Sequence, residues 1–312
     1  MRLIDLHEDI AFSSQRHDVV NSPDQSSIEM LRSIGDVTVF SVLFPHVSTM
    51  NEVSDYLTKQ YHEFSTSTFA NFHVMMEQVK FYLYLERHHN VRIVRKFEDL
   101  LHSGLRLLLA IEGTDALTDP MDAYLLNELH VKSIGLTWNY DTKFAASCMS
   151  TKDYGLTGYG ERLIEICNEI GIAIDLAHSS KKTVIDACSV TKKPVIASHA
   201  NSMVIHRNVR NLDDEEIDAI CRTGGLIGLT AINPTLSDKP SIDDIVRNAE
   251  YIGNNFGWDH VALGTDFLGI SSTPEHFDNI LRTKELSELL SIHADEVLWK
   301  NALSVLEKII NR

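Results

Sequence analysis

The segment ERLIEICNEIGIAIDLAH, residues 161–178, reads in one pass as helix, stop and strand, and that order decides the fold class. Leu163, Ile166, Cys167 and Ile170 fall on one helical face, and Gly171 stands where a helix end favours glycine. Ile172 to Ala177 is then a short apolar run of the kind a parallel strand buried on both faces requires, and it ends in His178. The same design recurs along the chain. Leu3-Ile4-Asp5-Leu6 ends in His7-Glu8-Asp9, Leu107 to Ile111 in Glu112, and Ile134 to Thr137 in Trp138-Asn139. Val195 to Ser198 ends in His199, and Val261 to Thr265 in Asp266. Two further runs, Val37 to Phe44 and Leu226 to Ile232, bring the candidate strands to eight.

Helical patterns fill the intervals. Asp213 to Cys221 carries acidic residues in its first turn, where the helix dipole favours them, and Ile242 to Phe256 and Lys284 to Ile310 also read as helical. Strand and helix alternate from about residue 105 onward, which predicts a parallel sheet with helical crossovers. Asn51 to Asn90 is longer than an ordinary crossover and rich in aromatics and Met, from Phe64 to Tyr84. It reads as one long helix or a helical pair packed outside the sheet, its apolar stripe being core rather than a cofactor site. The fold class is therefore α/β, a (β/α)8 TIM-type barrel with a helical insertion after the second strand. No linker or repeat divides residues 1–312, so one domain is expected.

Acidic residues outnumber basic ones 44 to 28, a formal charge of −16, which argues against a nucleic-acid partner or an anionic membrane surface. No run approaches the length of a membrane span, and the first strand begins within two residues of Met1, so no signal peptide is expected. Cys148, Cys167, Cys188 and Cys221 form no CxxC pair and read as reduced thiols, making a cytoplasmic location the expectation.

Polar groups at the ends of successive parallel strands converge on one face of a barrel, the face where barrels do chemistry. His7 and Asp9, two apart on a strand, point the same way and suit one metal ion; Glu112, His178 and His199 supply further ligands. Imidazole with carboxylate suits Zn²⁺, with Mn²⁺, Co²⁺ or Fe²⁺ as alternatives. Five ligands exceed the needs of one catalytic zinc, so two divalent ions bridged by a carboxylate and a hydroxide are expected. Three other features read as structural. Gly155 to Gly160 is the turn entering a helix, Asp213 to Glu216 a solvated helix start, and Cys148 an inert thiol. His88, His89, His102 and His130 read as surface residues.

Taken together, these motifs resemble the membrane (renal) dipeptidase family, zinc peptidases on a barrel. The resemblance covers nearly the whole chain. It rests on Asp5-Leu6-His7-Glu8-Asp9, Ile111-Glu112-Gly113, Gly155 to Gly160 leading to Ile174-Asp175-Leu176-Ala177-His178, Ser198-His199-Ala200-Asn201-Ser202, Arg210 to Glu215, and Gly264-Thr265-Asp266-Phe267. It implies that His7 and Asp9 hold one zinc, His178 and His199 the other, and that Glu112 bridges them. It further implies Asp266 as catalytic acid/base, Arg210 on the substrate carboxylate, and a dipeptide substrate tolerating a D-residue at its C-terminal position. A metal-bridging hydroxide is the expected nucleophile, and a homodimer is expected from the family and the aromatic surface of residues 64–84.

Two positions depart from the family pattern. Trp138 replaces a substrate-binding His, and Leu268 replaces an Asp, which makes that side of the mouth less acidic. Indole offers one donor and cannot become cationic, so oxyanion stabilisation is expected to fall to a metal or to Asn139, with Trp138 and Asn139 both as substrate contacts. Two alternatives stand beside the dipeptidase: another binuclear amidohydrolase acting on N-acyl amino acids, cyclic amides or lactones, and a non-catalytic metal-binding homologue.

Overall fold

The computed structural model describes residues 1–46 and 68–310. Nine parallel strands run as β1 (Arg2–Glu8), β2 (Asp36–Leu43), β3 (Arg92–Ile93), β4 (Leu105–Ile111), β5 (Val131–Gly135), β6 (Ala173–Asp175), β7 (Ile196–Ala197), β8 (Leu226–Leu229) and β9 (Val261–Leu263). Eight of them close a barrel in the order β2-β1-β9-β8-β7-β6-β5-β4, with β4 pairing back onto β2. All eight predicted runs are barrel strands. The two-residue β3 is outside that prediction; it pairs beside Arg106 and Leu107 at the start of β4, below where β5 joins at Leu109.

The interior is filled by Ile4, Leu6, Phe40, Leu108, Ala110, Ala173, Ile196, Leu226 and Ala262. This interior continues into Phe97, Leu100, Val305, Leu306 and Ile309, so a 3-10 turn (Phe97–Leu101) and the last helix (Asn301–Ile309) plug the end where the strands begin. The outer core lies between the other strand face and the helices.

The helix at Gly158–Ile170 is capped by Thr157, whose hydroxyl accepts from the Gly160 N–H, and ends at Gly171 with φ 82°, as its sequence requires. The helix Ile242–Phe256 has the predicted bounds. Lys284 to Ile310 is not one helix. A helix at Thr283–Leu290 stops at Ser291, whose φ is 54°, and the chain resumes through a π-helical turn, Glu296–Lys300, into Asn301–Ile309. The break leaves Ile292 exposed, a placement the apolar periodicity did not foretell.

After β2, the helix Thr68–His88 is the described part of the predicted insertion; its earlier part, including Phe64, lies outside the described residues. It buries Met75, Val79, Tyr82 and Leu85, with Phe72, Met76 and Phe81 packed at the margin. Phe69, Leu83 and Tyr84 remain exposed, so the surface behind the homodimer expectation is narrower than the sequence suggested. No helix among the described residues is long and apolar enough to cross a membrane.

Candidate metal centre

The strand ends bring their side chains together by two devices. One is close approach. Gly228 and Gly264 flank the end of β7, and a Cβ on either would lie 2.0 or 1.7 Å from the Ser198 carbonyl oxygen. Only glycine lets β8 and β9 pass there. The other device is a set of buried carboxylates inside the strands. Asp5 accepts from the Thr265 N–H at 2.9 Å, the Thr265 hydroxyl at 2.7 Å and the His7 N–H at 3.1 Å, tying β1 to β9. Asp175 accepts from the Ser198 and Ala177 N–H groups at 2.9 and 3.0 Å, tying β6 to β7. Neither Asp was read as part of the site. The available signal was a carboxylate inside a buried apolar run, which has to be hydrogen-bonded.

On this frame His7, Asp9, Glu112, His178 and His199 are all buried and meet at the strand ends. His7 Nε2 lies 3.5 Å from Asp9 Oδ2, 3.8 Å from Glu112 Oε2 and 3.5 Å from Asp266 Oδ1. Glu112 Oε1 lies 3.0 Å from His178 Nε2 and 3.5 Å from His199 Nε2, and the two imidazole nitrogens are 2.9 Å apart. Glu112 thus stands between one pair, His7 and Asp9, and another, His178 and His199, with one carboxylate oxygen toward each. Asp9 lies one residue past β1, and β1 has a register shift between Asp5 and Glu8; that irregularity keeps Leu6 in the interior while His7 still turns over the mouth.

The arrangement is electrostatically incomplete by itself. Burial, then the neighbouring Asp9 and Asp266, push the Glu112 carboxyl well above the carboxylate range; burial also raises Asp266, to about 7. Burial pulls His7 down, but Glu112, Asp9 and Asp266 outweigh it and hold the imidazole at about 10. Burial keeps His178 and His199 neutral, with Arg210 and His7 adding to the effect. His178 Nδ1 donates to Asn139 Oδ1 at 2.9 Å, which leaves Nε2 as a lone pair facing Glu112. His7 Nε2 has no hydrogen-bond partner among the described residues. Two neutral imidazoles, and a third that only its carboxylate neighbours keep protonated, aim with those carboxylates at a common space and fit a divalent cation. His178 and Asp266 hold positive φ values of 63° and 64°, backbone strain of the kind that collects at functional sites.

A cavity of about 550 Å³ opens above this cluster, lined by Asp9, Glu112, His178 and Asp266 together with Trp138, Asn139 and Arg210. Arg210 is the only Arg or Lys among the described lining residues. Its Nη2 is 3.5 Å from the His199 carbonyl oxygen, which places the guanidinium at the end of β7. Trp138 packs its ring against His46 and Phe44, at centroid distances of 4.7 and 5.1 Å. His46 is buried, its Nε2 3.1 Å from the Glu112 carbonyl oxygen; nothing in its sequence context had marked it.

Leu268 does not line the cavity; it packs in the outer core with φ 69°, a conformation an Asp adopts at lower cost than a Leu. Asp213 and Glu216 do form a capping box, but Glu216 is buried rather than solvated, and burial raises its carboxyl to about 7. His89 and His130 are half-buried, whereas His88 and His102 are exposed as expected. Cys148 has its thiol pushed up by burial, consistent with an inert group.

A family model described as "Membrane dipeptidase (Peptidase family M19)" matches residues 1–311. An uncharacterized dipeptidase of Schizosaccharomyces pombe (strain 972 / ATCC 24843) is 34% identical over 166 residues, 51% of this chain and 40% of that protein. The dipeptidase verJ of Clonostachys rogersoniana is 28% identical over 213 residues, 66% of this chain and 55% of that protein. The matched stretches thus span about half of each of these relatives. A metallo peptidase from Rhodobacter sphaeroides, solved with a phosphinate mimic of the dipeptide L-Ala-D-Ala, superposes with a TM-score of 0.87 at 19% identity, covering 99% of both chains. At that identity the likeness shows the barrel.

Proposed function

The chain belongs to the membrane dipeptidase family, peptidase family M19, and from that premise we propose that it is a metal-dependent dipeptidase. Its ions, two per chain and zinc by preference, would be held by His7, Asp9, Glu112, His178 and His199. The observation that carries the reading is Glu112: one oxygen faces His7 and the other faces His178 and His199, at 3.0–3.8 Å. Divalent ions bound there would supply Lewis acidity toward a carbonyl and acidify water to near neutral pH.

The rest of the chemistry belongs to the chain's own groups. Arg210 forks onto the free C-terminal carboxylate of the substrate, a bidentate, charge-assisted contact that limits length to two residues. Asp266 stands 3.5 Å from His7 Nε2 and holds its carboxyl near 7, matched to taking a proton from the attacking water and handing it to the leaving amine. Asn139, besides lining the cavity, fixes the His178 ring through Nδ1. Trp138 walls the cavity on the side of β5. The L-Ala-D-Ala mimic held by the Rhodobacter protein supports a D-residue at the C-terminal position. The four free cysteines support a reducing, cytoplasmic setting.

The test is a hydrolysis panel of L,L and L,D dipeptides, N-acyl amino acids, cyclic amides and lactones with added zinc or manganese. Turnover of dipeptides is expected. Turnover confined to N-acyl, cyclic or lactone substrates would move the chain to another amidohydrolase reaction, and turnover of none would remove the catalytic reading.

A further inference from the structure

The cavity has two chemically opposite walls, and the barrel topology sets them across the metal centre from each other. Arg210 stands at the end of β7. Phe44 directly follows β2, which is separated from β7 by β4, β5 and β6 one way round and by β1, β9 and β8 the other. The two residues are therefore diametrically opposed at the mouth. Phe12, in the short helix after β1, and Trp138, after β5, flank Phe44. Their rings contact it edge-on, at 5.2 and 5.1 Å between centroids. Phe12, Phe44 and Trp138 all line the cavity.

This wall is stiff. Phe44 is almost fully buried, Trp138 is backed by the buried His46 ring, and the Arg16 guanidinium covers Phe12, 5.1 Å from its centroid. Rigid aromatic surface carries a large apolar contact at little cost in ordering. A dipeptide with its carboxylate on Arg210 and its scissile carbonyl over the Glu112 cluster carries its N-terminal residue to the far side of that cluster, where Phe44 stands.

We infer that Phe12, Phe44 and Trp138 form the subsite for the side chain of the substrate's N-terminal residue, and that the preferred substrates are dipeptides with a large apolar or aromatic residue there. This rests on the dipeptidase reading. It goes further by naming which end of the dipeptide meets which wall and which side chains are selected. A carboxylate side chain in that position loses its hydration against three rings and gains no partner from them, and a Lys recovers only part of that cost by lying over a ring. A methyl group leaves most of the wall unfilled.

The test uses the metal-loaded protein and two dipeptide series, X-Ala and Ala-X, with X as Ala, Leu, Phe, Lys or Asp, read as kcat/KM. Phe-Ala and Leu-Ala are expected to exceed Ala-Ala by roughly tenfold or more, and Lys-Ala and Asp-Ala to fall below it. Phe12→Ala, at the half-buried end of the wall, should cut the Phe-Ala to Ala-Ala ratio severalfold while leaving the Ala-Phe to Ala-Ala ratio in place. Phe44→Leu, which keeps apolar volume in the core, should shift the same ratio in the same direction. Equal turnover across the X-Ala series, or a Phe12→Ala effect confined to Ala-X, would overturn the assignment while leaving the dipeptidase intact. Hydrolysis of no dipeptide would remove the dipeptidase reading and this assignment together.

Discussion

The two ends of the barrel are built from the same strands and put buried polarity to opposite uses. Where the strands begin, Arg106 is buried with its Nε donating to Thr38 Oγ1 at 2.9 Å, and the last helix closes over it with Val305, Leu306 and Ile309. Where the strands finish, three carboxylates and three imidazoles crowd together, and Asp9, Glu112, His178 and Asp266 among them line the cavity. The closed end is sealed by packing, with Arg106 Nη1 left without a hydrogen-bond partner among the described residues. The open end is left short of positive charge, which makes it a site. The difference teaches that burial of a polar residue is uninformative until its partners are counted. Arg106 and Glu112 lie six residues apart on or just past one strand; Arg106 has Arg2 and Arg92 near it but is closed over by apolar side chains, whereas Glu112 faces Asp9, Asp266 and three imidazoles beside an open cavity.

The largest effect should come from the open end. Asp266→Asn removes the proposed proton carrier and should lower kcat by about 10²–10⁴-fold with bound metal retained, checked by steady-state kinetics beside metal analysis. Thermal stability should hold or rise, since a buried carboxyl held near 7 is replaced by a neutral amide. Loss of metal in that variant would make Asp266 a ligand before a proton carrier. At the closed end the pattern should invert. Leu306→Ala should cost about 2–5 kcal/mol by denaturant unfolding, with kcat of the folded enzyme unchanged. A catalytic defect there, in fully folded protein, would break the division between the ends.

How far the sequence carried the reading follows from the same contrast. Strands buried on both faces read as apolar runs, so all eight barrel strands were legible, and ligands at their ends stood out as abrupt changes of polarity. Asp5 and Asp175 were not legible as supports, because their partners, Thr265 and Ser198, come from other strands and only the barrel closure brings them near. His46 was hidden for a similar reason: the contacts that tie it to the site, Trp138 and the Glu112 backbone, lie far along the chain. The break at Ser291 depends on a single positive φ that side-chain periodicity does not encode. Leu268 was misread because its number placed it beside Asp266 while its backbone turned it into the outer core.

Smaller effects sharpen the contrast. Asn139→Ala frees the His178 ring and should weaken metal affinity about 10–100-fold, measured by competition with a chelator, with little change in unfolding midpoint of the metal-loaded protein. Glu216→Gln keeps the capping acceptor for the Asp213 N–H but removes a buried titrating group near the open end. The wild-type carboxyl, raised to about 7 in the folded state, contributes stability that is present below pH 4.5 and lost as pH rises through about 7. The variant should therefore gain on the wild type by about 2 kcal/mol between pH 5 and pH 8 in paired denaturant titrations. A constant difference across that range would mean that Glu216 is ionised throughout.

The central claim is that five buried acid and imidazole groups at the open end, His7, Asp9, Glu112, His178 and His199, hold divalent ions. Calorimetric titration of zinc into chelator-treated protein, with Glu112→Gln alongside, tests it most directly. The account predicts binding of about two ions per wild-type chain, with proton release as the raised carboxyls ionise, and a loss of affinity in the variant that touches both ions because Glu112 faces both sets of ligands. Absence of binding in the wild type, or a variant that binds both ions as tightly, would contradict it.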